Sequence, residues 1–197
     1  MIVHPICDRK TWSAWRRAVA NLVIDRAVRD LYDRLDKQVA ARGPVCWVSG
    51  RCCQFDTFGH RLYVTGLEVA WVLKRVADQG STVASHDLSV SPIHNHKVQR
   101  RKDTLALVDS NLRLNASGAC PFQVNRLCSV HTIRPMGCRI FFCQHGTEQW
   151  QHELYERHLG QLRALHDEHS LPYCYMEWRT ALREALGAFG LASPDYS

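Results

Sequence analysis

The chain has 197 residues, 46% of them hydrophobic, and a formal net charge of +6 at pH 7. A chain of this length can bury on the order of 70% of its unfolded surface, which predicts a single domain over residues 1–197. Charges of both signs are mixed along the chain and no apolar run reaches the roughly 18 residues of a membrane span, which argues against nucleic acid and membranes as partners.

The N-terminus and the cysteine count indicate the compartment. Residues 1–10 contain no apolar run of signal-peptide length, so we expect a cytoplasmic protein. In a reducing compartment, nine cysteines do not form a disulfide framework, and the odd number argues the same way.

The N-terminal segment, residues 1–43, predicts one long helix. Apolar residues recur three or four positions apart with one slip in the spacing, while Arg and Asp fill the other face. Gly43-Pro44 is expected to end the helix. The residues of this apolar face are Trp12, Trp15, Val19, Leu22, Ile24, Val28, Leu31, Leu35 and Val39.

The second segment, residues 44–80, contains the first cysteine group and a capped helix. Thr65 and Glu68 form a capping box, in which each side chain can bond to the other residue's backbone amide. We expect a helix from there to about Asp78, with Gly80 as its stop. Glu68 could also be a catalytic carboxylate or metal ligand, but capping explains it fully.

Residues 81–118 predict a loop-rich, exposed insertion with a short element near 105–108. His94-Asn95-His96 can be interpreted as a metal-binding pair or a nuclease-like motif, but a solvated loop is favoured. A basic cluster is also interpreted as a solvated loop, because no aromatic residue is interleaved with it to stack on a base. Its members are Lys97, Arg100, Arg101 and Lys102.

The C-terminal segment, residues 147–197, predicts two helices. The first runs from about Thr147 to His169 and is followed by Leu171-Pro172, and the second carries Trp178 on its apolar face and ends at Gly190. Four histidines of the first helix are interpreted as surface residues: His152, His158, His166 and His169. Together, the segments predict an α-rich α+β fold, with helices flanking an irregular, cysteine-lined metal-binding core that includes a short hairpin.

Seven of the nine cysteines form two groups separated by a long thiol-free stretch. Thiolates are soft ligands that select zinc, copper(I) or iron-sulfur clusters, so the two groups predict a metal centre. Cys7 and Cys174 lie outside the groups and are interpreted as buried small hydrophobic residues. The predicted ligands are Cys46, Cys52 and Cys53 in residues 44–80, and Cys120, Cys128, Cys138 and Cys143 in residues 119–146.

The second group has a pattern that predicts its local geometry. A hairpin between Cys120 and Cys128 would place both thiols near one end. The Arg134-Pro135 turn would then bring Cys138 and Cys143 to the same pole. No C-x2-C pair occurs in the chain, which argues against a plain structural zinc finger.

The adjacent pair Cys52-Cys53 requires a sharp bend if both thiolates bind one ion. Gly50 would permit such a bend, and Arg51 offers a positive charge that favours the thiolate. The pair can more easily serve two irons of one cluster or two separate centres. A vicinal redox pair is a further alternative.

The arrangement Cys46-x5-Cys52-Cys53, with Cys120-Pro121-Phe122, Cys128-Ser129-Val130-His131, Arg134-Pro135-x2-Cys138-Arg139 and Phe142-Cys143, resembles a known family. It is similar to the YkgJ-type cysteine-cluster proteins, a zinc- or iron-chelating domain family whose members include flagellin lysine N-methylases. The resemblance covers roughly residues 46–143. The family's first block usually reads C-x2-C-x2-C-C, and this chain has Ser49 at the second cysteine.

The resemblance implies a metal centre that lacks one thiolate relative to the family. A serine hydroxyl is a poor replacement because it is hard and barely ionised at neutral pH. We expect one iron-sulfur centre, of the 4Fe-4S type, or one zinc centre, and a second would need His131, His145 or water. Arg134 and Arg139 lie beside the ligands in the resemblance and would donate to the sulfur atoms, or else form surface ion pairs.

Three functions follow from these patterns. The first is a metal-binding protein whose centre holds the fold and serves electron transfer or metal handling, with a protein or redox partner. The second, implied by the resemblance alone, is a protein-lysine N-methyltransferase, for which no catalytic residue can be named. The third is a zinc-dependent nucleic-acid binder, which the positive charge alone supports.

Overall fold

The computed structural model describes residues 7–45, 49–79 and 118–191, and it has an α-rich α+β fold. Seven α-helices are present in these residues, and the single hydrophobic core draws side chains from both ends of the chain. The helices are α1 (Arg9–Ala20), α2 (Leu22–Arg42), α3 (Phe55–Phe58), α4 (Gly66–Gln79), α5 (Met136–Ile140), α6 (Glu148–Glu168) and α7 (Trp178–Ala188).

Two small antiparallel sheets connect distant parts of the chain. Strand β1 (Tyr63–Thr65) pairs with β4 (Tyr175–Glu177), with Val64 opposite Met176. Strand β2 (Gln123–Val124) pairs with β3 (Leu127–Cys128). The first sheet places α4 and α7, which directly follow its two strands, on the same core.

The predicted single N-terminal helix is wrong, because the chain breaks it into α1 and α2 at Asn21. Asn21 adopts an extended conformation, and its side chain accepts a hydrogen bond from the amide of Val23 at 2.8 Å. This N-cap starts a new helix whose axis need not follow the first, and it coincides with the slip in the apolar spacing. The predicted stop is confirmed, since Gly43 ends α2 in the left-handed conformation.

The capping box at α4 is confirmed and has a wider role. The Thr65 amide donates to Glu68 Oε2 at 2.9 Å, and the Glu68 amide donates to Thr65 Oγ1 at 3.3 Å. Glu68 Oε1 also accepts from the Tyr32 hydroxyl and from the Met136 amide, each at 3.0 Å. One buried carboxylate therefore joins α2, α4 and the start of α5.

The two C-terminal helices are confirmed, but the interpretation of His158 and His166 as surface residues is wrong. Both side chains are fully buried, whereas His152 is exposed and His169 is half-buried. The helical repeat places His158 and His166 on the leucine-bearing face of α6 that packs into the core. Burial lowers the pKa of both imidazoles, which favours their neutral forms.

Some sequence predictions lie outside the described residues. These are the Gly80 helix stop, the element near 105–108, the His94-Asn95-His96 motif and the basic cluster of Lys97, Arg100, Arg101 and Lys102. Within the part of the chain that the structure covers, none of the helices combines the length and apolar character needed to cross a membrane.

Candidate metal centre

Cys52 and Cys53 of the first cysteine group lie on a tight turn, as the sequence predicts. Gly50 has a φ of +72°, and residues Arg51–Cys53 form a single 3-10 turn directly after it. The backbone amide of Cys53 donates to the Gly50 carbonyl at 3.1 Å, which closes the turn. The bend that the adjacent cysteines require is therefore present.

Backbone hydrogen bonds join this turn to the second cysteine group. The Cys120 amide donates to the Cys53 carbonyl at 2.6 Å, and Gln123 Nε2 donates to the Gly50 carbonyl at 2.9 Å. These bonds hold two segments side by side although Cys53 and Cys120 are almost 70 residues apart in the sequence.

The predicted hairpin is confirmed and places Cys128 next to the same turn. Asn125 and Arg126 both have positive φ angles, of 50° and 66°, as the central residues of a type I′ turn require. Cys120, at the base of the hairpin, is buried, and Trp178 Nε1 donates to its sulfur at 3.4 Å. The indole thus fixes one thiol of the group from α7.

Four thiols interact at this point, with Cys53 in the middle. Hydrogen bonds with Cys120, Cys128 and Cys52, followed by burial, raise the pKa of Cys53. The hydrogen bond from Cys53 lowers the pKa of Cys52 to about 6 and that of Cys128 to about 7, and the charge of Arg134 adds to both effects. Cys52 therefore favours the thiolate form at neutral pH, Cys128 is close to its midpoint there, and all four are free cysteines.

Cys138 approaches the same group from α5. Arg134 has ψ of 150°, and Pro135 is the N-cap of the helix that carries Cys138, so the turn itself is confirmed; that it also brings Cys143 to the same pole stays a prediction. Burial and the negative charges of Cys120, Cys128 and Cys52 raise the pKa of Cys138. This thiol therefore lies within electrostatic reach of those three thiols. We call Cys52, Cys53, Cys120, Cys128 and Cys138 the thiol cluster.

The other two predicted ligands, Cys46 and Cys143, stay predictions from the sequence. Cys46 lies outside the described residues. Cys143 is half-buried and has no described interaction with the cluster, and its neighbour Phe142 is held through both backbone polar groups by Gln151. As they stand, the described side chains contain no group of three or more His, Cys, Asp or Glu with the geometry of a metal site. The full ligand set stays a prediction.

The two arginines of the motif have different surroundings. Arg134 Nε donates to the Cys138 carbonyl at 3.1 Å, and the charge of Arg134 lowers the pKa of Cys52 and Cys128. Arg139 is buried, forms an ion pair with Asp36 at 2.5 Å, and donates to the carbonyls of Arg134 and Thr132. Arg134 therefore favours thiolates, whereas Arg139 holds the backbone that positions Arg134.

The remaining groups considered as ligands or charges lie elsewhere. The His131 side chain is largely exposed and contacts Arg134. Partial desolvation of the imidazole and the charge of Arg134 lower the pKa of His131. His145 is exposed and lies 4.0 Å from Glu148. The guanidinium of Arg51 lies over the ring of Phe58, with 5.1 Å to the centroid.

Three contacts are not signalled by the sequence patterns, and two of them lie at the site. The spacing predicts only a core position for Trp178, although an indole N–H needs a partner when it is buried. His60 Nε2 lies 3.3 Å from the Cys52 carbonyl, and no spacing pattern signals this contact. Cys7 and Cys174 are not isolated, because a hydrogen bond joins their thiols and, together with burial, raises the pKa of Cys7.

Comparison of the chain with protein families, with curated proteins and with solved structures gives no match. The resemblance to the cysteine-cluster proteins therefore stays a prediction from the motif.

Proposed function

We propose that the protein is a cysteine-cluster metal-binding protein, in which thiolates from two segments hold an iron-sulfur cluster or, as the second choice of metal, zinc. The observation that carries the proposal is the contact of Cys53 with Cys52, Cys120 and Cys128, with Cys138 nearby. The thiol cluster does not have the geometry of a finished metal site, but its five soft donors are of the kind that these metals take.

The adjacent pair Cys52-Cys53 supports an iron-sulfur cluster over a single zinc ion. Successive residues of a 3-10 helix point about 120° apart, because the helix has three residues per turn. Two thiolates that diverge in this way suit different irons of one cluster better than a single tetrahedral ion. Cys46 and Cys143 are further ligand candidates on the sequence evidence alone.

The first role of the centre in this proposal is structural. The thiol cluster joins the turn after Gly50, the β2–β3 hairpin and α5, and Trp178 connects it to α7. Metal binding to such a set contributes directly to the free energy of folding. Electron transfer or metal handling with a protein partner is the second use that we propose for the same centre.

Metal analysis of anaerobically purified protein tests the proposal. We expect a brown protein with visible charge-transfer absorption and about four iron atoms per chain, as one cubane cluster requires. Stoichiometric zinc in a colourless protein would select the second metal. Protein that is folded and free of both metals after reconstitution would contradict the proposal.

A pair of cysteine variants tests which thiols bind. Cys53→Ser removes the central thiol of the cluster, so metal content and the melting temperature should both fall, because metal binding and folding are coupled. Cys7→Ser is the matched control, since Cys7 contacts Cys174 instead of the cluster. Equal metal content in the two variants would remove Cys53 from the ligand set.

The two alternative functions stay sequence-level predictions. The methyltransferase rests on the family resemblance, and the nucleic-acid binder rests on net charge. Binding to DNA or RNA with a steep loss of affinity on adding salt would favour the latter.

A further inference from the structure

A cavity of about 320 Å³ opens directly beside the thiol cluster, and Cys52 and Cys138 form part of its wall. Most of the remaining wall is aromatic or apolar. A pocket of this kind next to a group of reactive side chains is the usual form of a small-molecule site. Its Phe and Tyr members are Phe55, Tyr63, Phe141, Tyr155 and Tyr175, and two histidines, His60 and His152, also line it.

The size and shape of the cavity favour a flat ligand. An apolar protein cavity of about 150 Å³ holds one benzene molecule, so a cavity of twice this volume has room for one or two rings with substituents. Two pairs of wall residues present nearly parallel ring planes: His60 and Phe141 at 17°, and Tyr63 and Tyr175 at 24°. Stacked rings of this kind offer flat faces on which another planar group can pack.

A hydrogen-bond donor is present in the wall. The hydroxyls of Tyr155 and Tyr175 bond to each other, which uses one of their two protons. The second hydroxyl proton has no acceptor among the described residues. Burial raises the pKa of both phenols, so this proton stays on its oxygen and can be donated to a ligand. Glu68, which acts on both tyrosines electrostatically, has its own oxygens occupied by Tyr32, Thr65 and Met136.

Arg61 gives the cavity wall a positive charge. It is exposed and forms no ion pair within the described part of the chain. The described lining contains no Asp or Glu, and the negative charge of its Cys52 thiolate would be taken up by the metal of the proposed centre. The amide of Gln151 is already bonded to the backbone of Phe142. A cationic ligand would therefore meet Arg61 without a compensating carboxylate, whereas a carboxylate could accept bonds from both Arg61 and the tyrosine pair.

We propose that this cavity binds a small planar aromatic carboxylate of one or two rings. The rings lie among the aromatic side chains next to Cys52 and Cys138, and the carboxylate is held by Arg61 with help from the tyrosine pair. This binding site goes beyond the proposed metal centre and does not depend on which metal the thiols hold.

Titration of the full-length, anaerobically purified protein with naphthoate tests the proposal. We expect saturable binding by calorimetry, with weaker binding of the neutral naphthalenemethanol and weaker still of the cationic naphthylmethylamine. Arg61→Gln should weaken naphthoate binding about tenfold, the loss expected for one charged hydrogen bond. Arg183→Gln is the matched control, since this exposed arginine of α7 lies outside the cavity lining, and it should bind like the unaltered protein.

The double variant Tyr155→Phe/Tyr175→Phe should also weaken naphthoate binding while its melting temperature shows that it is folded. The proposal is overturned if naphthoate does not bind, if the amine binds as tightly, or if Arg61→Gln has no effect. Metal analysis of the same samples separates the two proposals. Metal-loaded protein that does not bind naphthoate refutes only the cavity proposal, and metal-free protein that binds it refutes only the metal proposal.

Discussion

Gly50 is the residue on which the approach of the two cysteine groups depends. Its positive φ starts the turn that carries Cys52 and Cys53, and a left-handed conformation costs other residues free energy. A Cβ atom at this position would also lie 2.5 Å from the Arg126 carbonyl oxygen and 2.9 Å from Gln123 Nε2. The absence of a side chain is therefore needed both for the turn and for the hairpin to pack against it.

Gly50→Ala should separate these segments and reduce metal content as well as stability. Gly59→Ala is a close control, because Gly59 has a φ of +67° but a Cβ there meets nothing within 4 Å. Both variants should lose about 1 kcal/mol from the backbone conformation, and only Gly50→Ala should lose metal. Metal analysis with thermal unfolding of both variants checks this, and equal metal content would show that the close packing at Gly50 does not position the thiols.

At the scale of the elements, the capping box of α4 also organises helices that are distant in sequence. Glu68 is buried, and its carboxylate accepts from the Tyr32 hydroxyl of α2 and from the first amide of α5. Burial raises its pKa, and the hydrogen bonds from Thr65, Met136 and Tyr32 oppose this shift. A helix cap that the sequence reveals thus supports the helix that carries Cys138.

Glu68→Ala should lower the free energy of unfolding by about 3 kcal/mol, because buried donors on α2 and α5 lose their acceptor together with the cap. Glu177→Ala serves as the control, since Glu177 caps α7 by accepting from the Thr180 amide in an exposed position. That variant should lose about 1 kcal/mol. Urea unfolding of both variants measures the difference, and similar losses would mean that Glu68 acts only as a local cap.

At the scale of the whole molecule, α6 brings ionisable groups into the core. His166 Nδ1 lies 2.7 Å from the Pro172 carbonyl, whereas neither ring nitrogen of His158 has a partner among the described residues. The charges of Arg157 and Arg34 add to burial in lowering the pKa of His158. A neutral folded form and a chargeable unfolded form couple stability to pH.

The protein should become less stable as the pH falls below about 6.5, because the unfolded chain then binds protons that the buried imidazoles do not. The loss should approach about 1.4 kcal/mol per pH unit for each histidine that stays neutral. His158→Leu should reduce the pH dependence of the free energy of unfolding, as measured by urea unfolding at about pH 7.5 and about pH 5.5. The raised pKa of Glu68 acts in the opposite direction, but Glu68 is present in the variant and in the unaltered protein, so its contribution cancels in the comparison. Parallel pH dependences would contradict a neutral buried His158.

Local signals account for what could be predicted. The capping box at Thr65, the Asn125-Arg126 turn, the bend at Gly50 and the helix ends near Gly43 each depend on residues a few positions apart. The features that were not predicted depend on contacts between residues that are far apart in the sequence. The break at Asn21, the burial of His158 and His166 and the contact between Cys7 and Cys174 are set by packing between distant segments.

The α-rich α+β class and the grouping of the cysteines can be predicted from the sequence, because helical periodicity and residue spacing depend on positions close together in the chain. Which thiols meet depends on the folded structure. Hydrogen bonds between Cys53 and Cys120 bring distant segments together. The cavity with Arg61 at its wall likewise exists only after folding, since its lining comes from the α3–β1 region, α5, α6 and β4. Long-range contacts form where the packing free energy of the whole chain is lowest, and no local pattern encodes that minimum.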